Sequence, residues 1–506
     1  MNDNKNIIIA IDIGTQSVKV VAYNQEGLPI VEIAKPSKAI LSEWSGIKFD
    51  PNDYLQITVE ILKELKNHPL IQDNKIAVLS FSGVGGGIVC VDNQLKPISS
   101  FVNPLDGRDK KIKKEFTYNY GIDICKIAGS LSLQSASKIK WFQINQPEIY
   151  KKTSKYLLIT HYIQSILSGH SIENVFEGWT TIASQGLGDT KNYKWSIKLC
   201  ELLDVPIEKL PKIVSPFEEI GTLDKKWSDV TGIPSGTPII AGAFDKISSL
   251  IASGCINDHV IFEETASWPS IIYSTGEFSP DTENPIFQFL PTPIKNIWCG
   301  MAAIKGGGIT HEWFTNNFTN SYSPNLFLEL DNLSKEVPPG SDNLYLIPHL
   351  EGQECPIDPS MRGLWVGFNW KHRKEHFYRS ILESIVFEYK RYIEKLNKSF
   401  FLEANTPVRS CGGGSKSRVW NHIKADILNR KIQTLERNDL STLGSAIVGG
   451  IGVGLFSNFT ETVNNFIKIR EEIIPNEENV KKYNNISKNY EKIYNISKNI
   501  FHSVNF

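Results

Sequence analysis

Apolar residues come in short blocks near the N-terminus. Ile7 to Ile11 run into Asp12-Ile13-Gly14-Thr15, and a second apolar run from Val18 to Tyr23 follows almost at once. Two such runs around a Gly-containing turn predict a β-hairpin. The period then changes. Residues 53–66, DYLQITVEILKELK, carry apolar residues at helical spacing, and Ile76 to Phe81 predicts a strand. Two helices are predicted between residues 135 and 169, from SASKIKWFQIN and KYLLITHYIQSILSG. An apolar strand from Pro238 to Ala241 ends at Gly242, with Asp245 just before an apolar helix. From Asn257 the opening pattern returns. Val260-Ile261-Phe262, the turn Glu263-Glu264-Thr265-Ala266-Ser267 and the apolar stretch at Ile271-Ile272 predict a second hairpin. Leu346 to Gly367 reads as non-helical. Arg409 to Arg430 reads as a strand end, three glycines and a long amphipathic helix, and the Lys/Asn/Tyr-rich tail beyond Pro475 as one more helix.

With 506 residues, the chain can form two to four domains and bury a sizeable core. Hydrophobic content of 41%, charge of 22% and a net charge of −1 describe an ordinary soluble globular protein. That balance argues against nucleic acid or an anionic membrane as the main partner. No apolar run approaches the roughly 20 residues that span a bilayer. MNDNKN lacks the apolar core of a secretory signal. Seven scattered cysteines with no CxxC pair suit reduced thiols, so the expected compartment is the cytoplasm.

The first hairpin carries the first candidate chemistry. Gly14 can turn consecutive N–H groups into one concave anion cradle, Thr15 and Ser17 add hydroxyls, and Lys19 adds a positive charge. Asp12 beside a phosphate is repulsive unless a divalent cation stands between them, which points to a Mg²⁺-nucleotide loop. The plain alternative is a tight hairpin with an exposed Asp. Ser82 to Gly87 is dense in glycine between strands, which means close approach of backbone to ligand or to chain. His372-Arg373-Lys374-Glu375-His376 fits an H-x-x-E-H zinc pattern, but no third ligand is conspicuous, and it reads as a solvated first helical turn.

Several stretches together resemble the FGGY carbohydrate kinases, the xylulose, glycerol and gluconate kinase family. The first hairpin is similar to the first phosphate motif of the wider group that holds actin and the heat-shock chaperones. Thr237 to Gly254 resembles the family's G-x-x-D segment, with Gly242, Asp245 and Gly254 in register. Arg409 to Arg430 resembles its G-G-G-x-x-S-x-x-W-x-Q-x-x-A-D-x-L adenosine motif, with His422 in place of Gln. Leu105-Asp106-Gly107-Arg108 resembles Trp-x-Asp-x-Arg, with Pro104 where the Trp would be. Gly306-Gly307-Gly308 resembles the glycine turn that enters a helix ending in Trp-Phe, here Trp313-Phe314.

The resemblance covers roughly residues 7 to 470. It implies an α/β, two-lobed, ribonuclease-H-like (actin-like ATPase) fold with a central cleft between the lobes, one lobe over residues 1–250 and the other over 251–506. It implies ATP-dependent phosphorylation of a sugar, polyol or sugar acid, with ATP and Mg²⁺ as cofactors and a homodimer among the assemblies it allows. Asp245 is then the base that accepts the hydroxyl proton, and it joins Asp12 at the metal. Asp106 and Arg108 hold the sugar, while Gly85 and Gly86, which replace polar sugar contacts of the family, leave extra room there. Gly14, Thr15, Ser17, Lys19 and Thr265 take the phosphates. Gly308, Glu312, Gly412, Gly413 and Ser417 take the rest of the nucleotide. Glu264 stands where the family has Gly, and three readings are open: the side chain points away, nucleotide affinity is reduced, or this hairpin has lost its role. The alternative class is a catalytically weak sugar- or nucleotide-binding regulator. Xylulose-type ketoses lead among acceptors because the motif spacing resembles that subgroup.

Overall fold

The computed structural model describes residues 6–15, 17–37, 40–42, 46–256, 260–283, 285–319, 326–399, 402–437 and 439–504. The first lobe is built on β1 (Asn6–Ile13), β2 (Ser17–Tyr23), β3 (Pro29–Pro36), β4 (Lys75–Gly83), β5 (Glu219–Thr222) and β6 (Pro238–Phe244). These form one sheet ordered β5-β6-β4-β1-β2-β3. β1, β2 and β3 meander antiparallel, β4 and β6 add in parallel, and β5 closes the edge antiparallel. Ile7 to Ile11 are all buried, so β1 is covered on both faces, which explains a continuous apolar run instead of alternation. Helix α1 (Pro51–Lys66) covers one face. Asp50 caps it by accepting from the Asn52 N–H at 2.9 Å, and Pro51 fills a position whose N–H would have no partner. Helix α2 (Ile159–Leu167) packs in the same apolar cluster. It is shorter than its sequence pattern suggests, because Lys155–Leu157 pairs as a strand with Val89–Val91.

Helix α3 (Asp245–Ala252) follows β6 directly. The second lobe repeats the plan. β7 (Ile261–Thr265), β8 (Ser270–Thr275), β9 (Gln288–Pro291), β10 (Trp298–Ala303), β11 (Val408–Gly412), β12 (Ile432–Leu435) and β13 (Ile469–Ile473) lie in the order β9-β10-β8-β7-β11-β12-β13. Again a meander, β7-β8-β10, is extended in parallel by β11 and β12 and closed antiparallel by β13, with β9 added outside. The helices that matter here are α4 (Ile309–Phe318), α5 (Lys374–Ser399), α6 (Arg418–Leu428), α7 (Ser441–Gly452) and α8 (Glu477–Ser503). Tyr483, Tyr490 and Tyr494 of α8 seat it with hydroxyls that donate to Glu383, Glu388 and Gln353 at 2.6–2.7 Å. His372 and His376 close the turn into α5, accepting from the Asn369 and Arg373 N–H groups. Among the described residues no cluster of three His, Cys, Asp or Glu side chains suits a metal, and no helix is long and apolar enough to cross a membrane.

The lobes meet through α3 and α7. A Cβ at Gly444 would lie 1.9 Å from the Ser248 carbonyl oxygen, so only glycine allows this crossing. Beyond it α7 reaches the first lobe's sheet, where the Ser80 hydroxyl donates to the Ser445 carbonyl at 2.7 Å. One buried cluster contains Ile8 and Ala10 from the first sheet, Phe262 and Ile272 from the second, and Leu250 and Ile447 from the two helices. That shared core sets the β1–β2 and β7–β8 turns on either side of a common cleft.

Candidate active site

Asp245 reaches the cleft because β6 is bent. The register between β6 and β4 slips between Ile240 and Ala243, and Gly242 sits at φ +76. A Cβ there would lie 1.8 Å from the Phe81 carbonyl oxygen, so the bulge requires glycine. Asp245 then opens α3. Its Oδ1 is shielded from solvent and has no hydrogen-bond partner. Burial, then the negative charge of Asp12, pushes its carboxyl up to about 8.

Asp12, one residue before the end of β1, lies close enough to that carboxyl for their charges to interact. Ser82, its neighbour across β4, donates to Oδ1 at 2.9 Å, and Ser441, the first residue of α7, donates to Oδ2 at 2.9 Å. Burial, then Asp439, lifts Asp12 to about 6. Lys19 faces Asp12 across the β1–β2 pair, but its ammonium is taken by Asp439 and lies 3.6 Å from Glu32. It is committed to the lobe junction rather than free for a phosphate. Ser82, Asp439 and Ser441 were not singled out by the sequence, since each belongs to another strand or to the other lobe.

The turn after Asp12 differs in detail from the expected cradle. Gly14 stays outside the left-handed region, and its N–H donates to the Ser17 carbonyl at 3.0 Å, so it closes the turn. Thr15 is fixed by its carbonyl, which accepts from the Tyr54 hydroxyl at 2.7 Å. The half-buried Thr15 and Ser17 side chains remain at the cleft.

The acceptor side carries the main correction. A Cβ on Gly85 would meet the Phe244 ring at 2.6 Å, and one on Gly86 would meet Gln134 at 2.9 Å. The space left by the absent side chains is therefore filled by Phe244 and Gln134, not open. Gln134 also holds a buried, unpartnered Oε1. Asp106 and Arg108 form a buried bidentate pair, with Nε and Nη2 donating at 2.9 and 2.8 Å. The Arg108 guanidinium lies 4.7 Å from the centre of the Trp141 ring. Asp106 therefore orders the loop beside the cleft, and its two oxygens are not presented to a diol as expected.

On the second hairpin, the Thr265 hydroxyl turns inward. It donates to Glu263 and accepts from Lys424 at 3.1 Å, in a sealed network with Ser410 and Tyr389. A phosphate-facing role for that hydroxyl is not what the structure displays. Glu264, one residue earlier, is half-buried and ion-paired with Lys246 of α3 across the lobe junction. Of the three readings open at this position, none described a partner from α3. Exposed Ala266 and Ser267 form the turn, pinned by the Gly308 N–H donating to the Ser267 carbonyl at 3.2 Å. Gly308 is needed there because a Cβ would lie 2.0 Å from the Ala266 oxygen. Glu312 stands exposed on the first turn of α4.

The glycine loop after β11 divides its work. Gly412 adopts φ +86 with its Cα against the Thr265 carbonyl, a backbone requirement. A Cβ at Gly413 would meet nothing within 4 Å, so a flat ligand can lie on that peptide. Ser417 caps α6, accepting from the Trp420 N–H at 3.0 Å, and its hydroxyl also hydrogen-bonds the Asp331 carboxyl.

Two lobes with repeated hairpins, a carboxylate pair between them and an open glycine loop define a kinase of the actin-like ATPase group. The family model for the N-terminal domain of the FGGY family of carbohydrate kinases matches residues 7–252, the C-terminal domain model matches 279–453, and the chain belongs to this family. It is 26% identical to a xylulose kinase of Bacillus subtilis, over 97% of each chain. It is 25% identical to a gluconokinase of Bacillus licheniformis, over 94% of this chain and 93% of the other. Its fold matches a gluconate kinase from Lactobacillus acidophilus with a TM-score of 0.89 at 24% identity, over 97% and 98% of the two chains. The chain is thus a phosphotransferase, and ATP is the phosphate donor of its family.

Proposed function

We propose that this kinase transfers the terminal phosphoryl group of ATP to a hydroxyl of a small sugar, with Asp245 as the base. The observation that carries the reading is the shielded, unpartnered Oδ1 of Asp245 at the junction of both hairpins. A sugar hydroxyl is a weak nucleophile at neutral pH, and a carboxylate of raised proton affinity accepts its proton as the new bond forms. The oxygen–phosphorus bond to the acceptor forms while the bond to ADP breaks, and the proton passes to Asp245. Gly413 supports the nucleotide from the second lobe, Thr15 and Ser17 meet its phosphates from the first, and Gln134 with Phe244 borders the acceptor.

The donor set also suits a divalent cation. Asp12 and Asp245 are hard oxygen ligands, and both have proton affinities raised by burial first and then by neighbouring negative charge, the part that a cation relieves. Mg²⁺ held there would neutralise phosphate charge. The lobe boundary falls near residue 250 in this reading, where α3 ends the first lobe. Ketoses of the xylulose type lead as acceptors and sugar acids of the gluconate type follow, in line with the names of the two relatives above.

The test is an ATP-consumption assay over a panel of ketoses, polyols and sugar acids. Turnover with one class establishes the acceptor. ATP binding without turnover on any member selects the non-catalytic regulator.

A further inference from the structure

Glu263 and Glu264 are neighbours on β7, and each holds a lysine from a different helix. The pairs differ in their surroundings. Glu263 and Lys424 are both fully enclosed, at 0% side-chain exposure, and 2.9 Å apart. Lys424 also donates to Thr265 and Ser410 at 3.1 Å, so all three of its protons are used. Glu264 and Lys246 keep 17% and 23% exposure at the cleft, and Glu264 is the hydrogen-bond partner found for Lys246. One pair is a sealed core element. The other opens onto the site.

The position of Lys246 is fixed from three sides. It follows Asp245 directly on α3, so its backbone shares the base's turn. Its ammonium reaches the end of β7, one residue before Thr265 and the exposed Ala266–Ser267 turn. β11 lies alongside, with Cys411 opposite Glu264 and Gly412 opposite Thr265, which brings the open loop at Gly413 close by. A phosphoryl group passing from a nucleotide on that loop to a hydroxyl at Asp245 travels beside residue 246. Three other cations near the site are committed elsewhere: Lys19 to Asp439, Arg108 to Asp106, and Lys424 to Glu263.

We propose that Lys246 is a catalytic residue that binds the transferring phosphoryl group, and that Glu264 holds its place on the ammonium until the nucleotide arrives. The inference rests on the kinase reading above. The ammonium exchanges a carboxylate oxygen for phosphoryl oxygens, and it faces the charge that spreads over those oxygens in transfer. While no nucleotide is present, Glu264 keeps the lysine extended toward the centre of the cleft; after the exchange it stands unpaired beside polyphosphate, a like charge that weakens ATP binding.

The proposal separates the two partners of one ion pair by sign. Lys246→Met should lower kcat by about 100-fold or more, the scale of removing one preorganised donor to a developing charge. Glu264→Gln should tighten ATP by up to about tenfold, because a like charge is removed from the phosphate site. The double variant should behave like Lys246→Met, and Lys246→Arg should recover part of the rate. A purely structural pair predicts the opposite pattern: both single variants weaken together and the double variant restores the loss. Equal losses in Lys246→Met and Glu264→Gln overturn the assignment.

Calorimetry with ATP and with ADP on the full chain keeps this test apart from the kinase reading. Lys246→Met should erase most of the preference for ATP over ADP while leaving ADP binding unchanged, whatever the acceptor is. An unchanged preference overturns the role of Lys246 even if sugar phosphorylation is confirmed. A lost preference upholds the contact even if every acceptor in the panel fails. Should Lys246→Met not fold, Glu264→Gln alone decides, since weaker ATP binding in that variant contradicts the exchange.

Discussion

The two hairpins occupy equivalent places in two sheets of the same plan, yet they handle charge in opposite ways. The β1–β2 hairpin keeps a carboxylate, Asp12, held by the Ser82 and Ser441 hydroxyls and crowded by Asp439. The β7–β8 hairpin carries two carboxylates, Glu263 and Glu264, and each is matched by a lysine. Hydroxyl donors leave the charge of Asp12 in place for a cation or a proton. Lysine partners cancel the charges on β7. The same topology therefore leaves an uncancelled carboxylate on one side, as the proposed acid–base and metal chemistry requires, and a charge-matched hairpin on the other.

The largest effect that tests this division is on the base. Asp245→Asn should cut kcat by about 10²–10⁴-fold with a much smaller change in nucleotide binding, because the lost group meets the acceptor hydroxyl directly and the donor only through the cation. A steady-state assay beside an ATP titration checks it. Residual activity above about a hundredth would move the base elsewhere.

The next effect separates the two lysines of the second hairpin by stability. Lys424→Met leaves Glu263 charged and enclosed, so it should destabilise the fold by about 3–5 kcal/mol. Lys246→Met leaves Glu264 with access to water and should cost less, because the charge left behind can be hydrated. Denaturant unfolding of both variants reads the difference, and equal losses would erase the distinction drawn between a sealed and an open pair.

A smaller effect is expected at the adenosine loop. Gly413→Val fills open space, so it should raise KM for ATP with the fold and the acceptor KM unchanged. Gly412→Val should instead disturb folding, since its left-handed backbone lies against Thr265. An unchanged ATP dependence in a folded Gly413→Val variant would place the adenine away from this peptide.

Much of this was legible in the chain, and what was missed has a common cause. Continuous apolar runs flanking Asp12 and Glu264 marked both hairpins, and an apolar strand ending at Gly242 placed Asp245 at the head of a helix, because local backbone demands write themselves into local sequence. The partners of those residues were not legible. Ser441 is 429 positions from Asp12, and Lys424 is 161 from Glu263, so only the packed sheets bring them together. Gly85 and Gly86 misled for a related reason. An absent side chain reads as room, but the volume belongs to whichever neighbour fills it, and here Phe244 and Gln134 do. Thr265 and Ser417 carried the right residue type for a ligand contact, while burial in one case and a helix cap together with Asp331 in the other engage their hydroxyls.

The smallest effect concerns pH and compares the two carboxylates of the cleft. In the unfolded chain each Asp titrates near about 3.9. In the folded protein Asp12 is lifted to about 6 and Asp245 to about 8. Between the unfolded and folded values the native state binds more protons than the unfolded one, so stability falls as pH rises through that window. Asn cannot ionise and escapes the loss. The gain in Tm of Asp245→Asn over the parent should therefore be near zero at about pH 4, grow by a few degrees, and level off only above about pH 8. For Asp12→Asn the same curve should level off near pH 6. Melting curves without nucleotide or divalent cation, taken at pH 4.5, 6.5 and 8.5, distinguish the two. If the Asp245→Asn difference is flat across that range, Asp245 is ionised throughout, and neither its burial nor the nearby charge of Asp12 governs its proton.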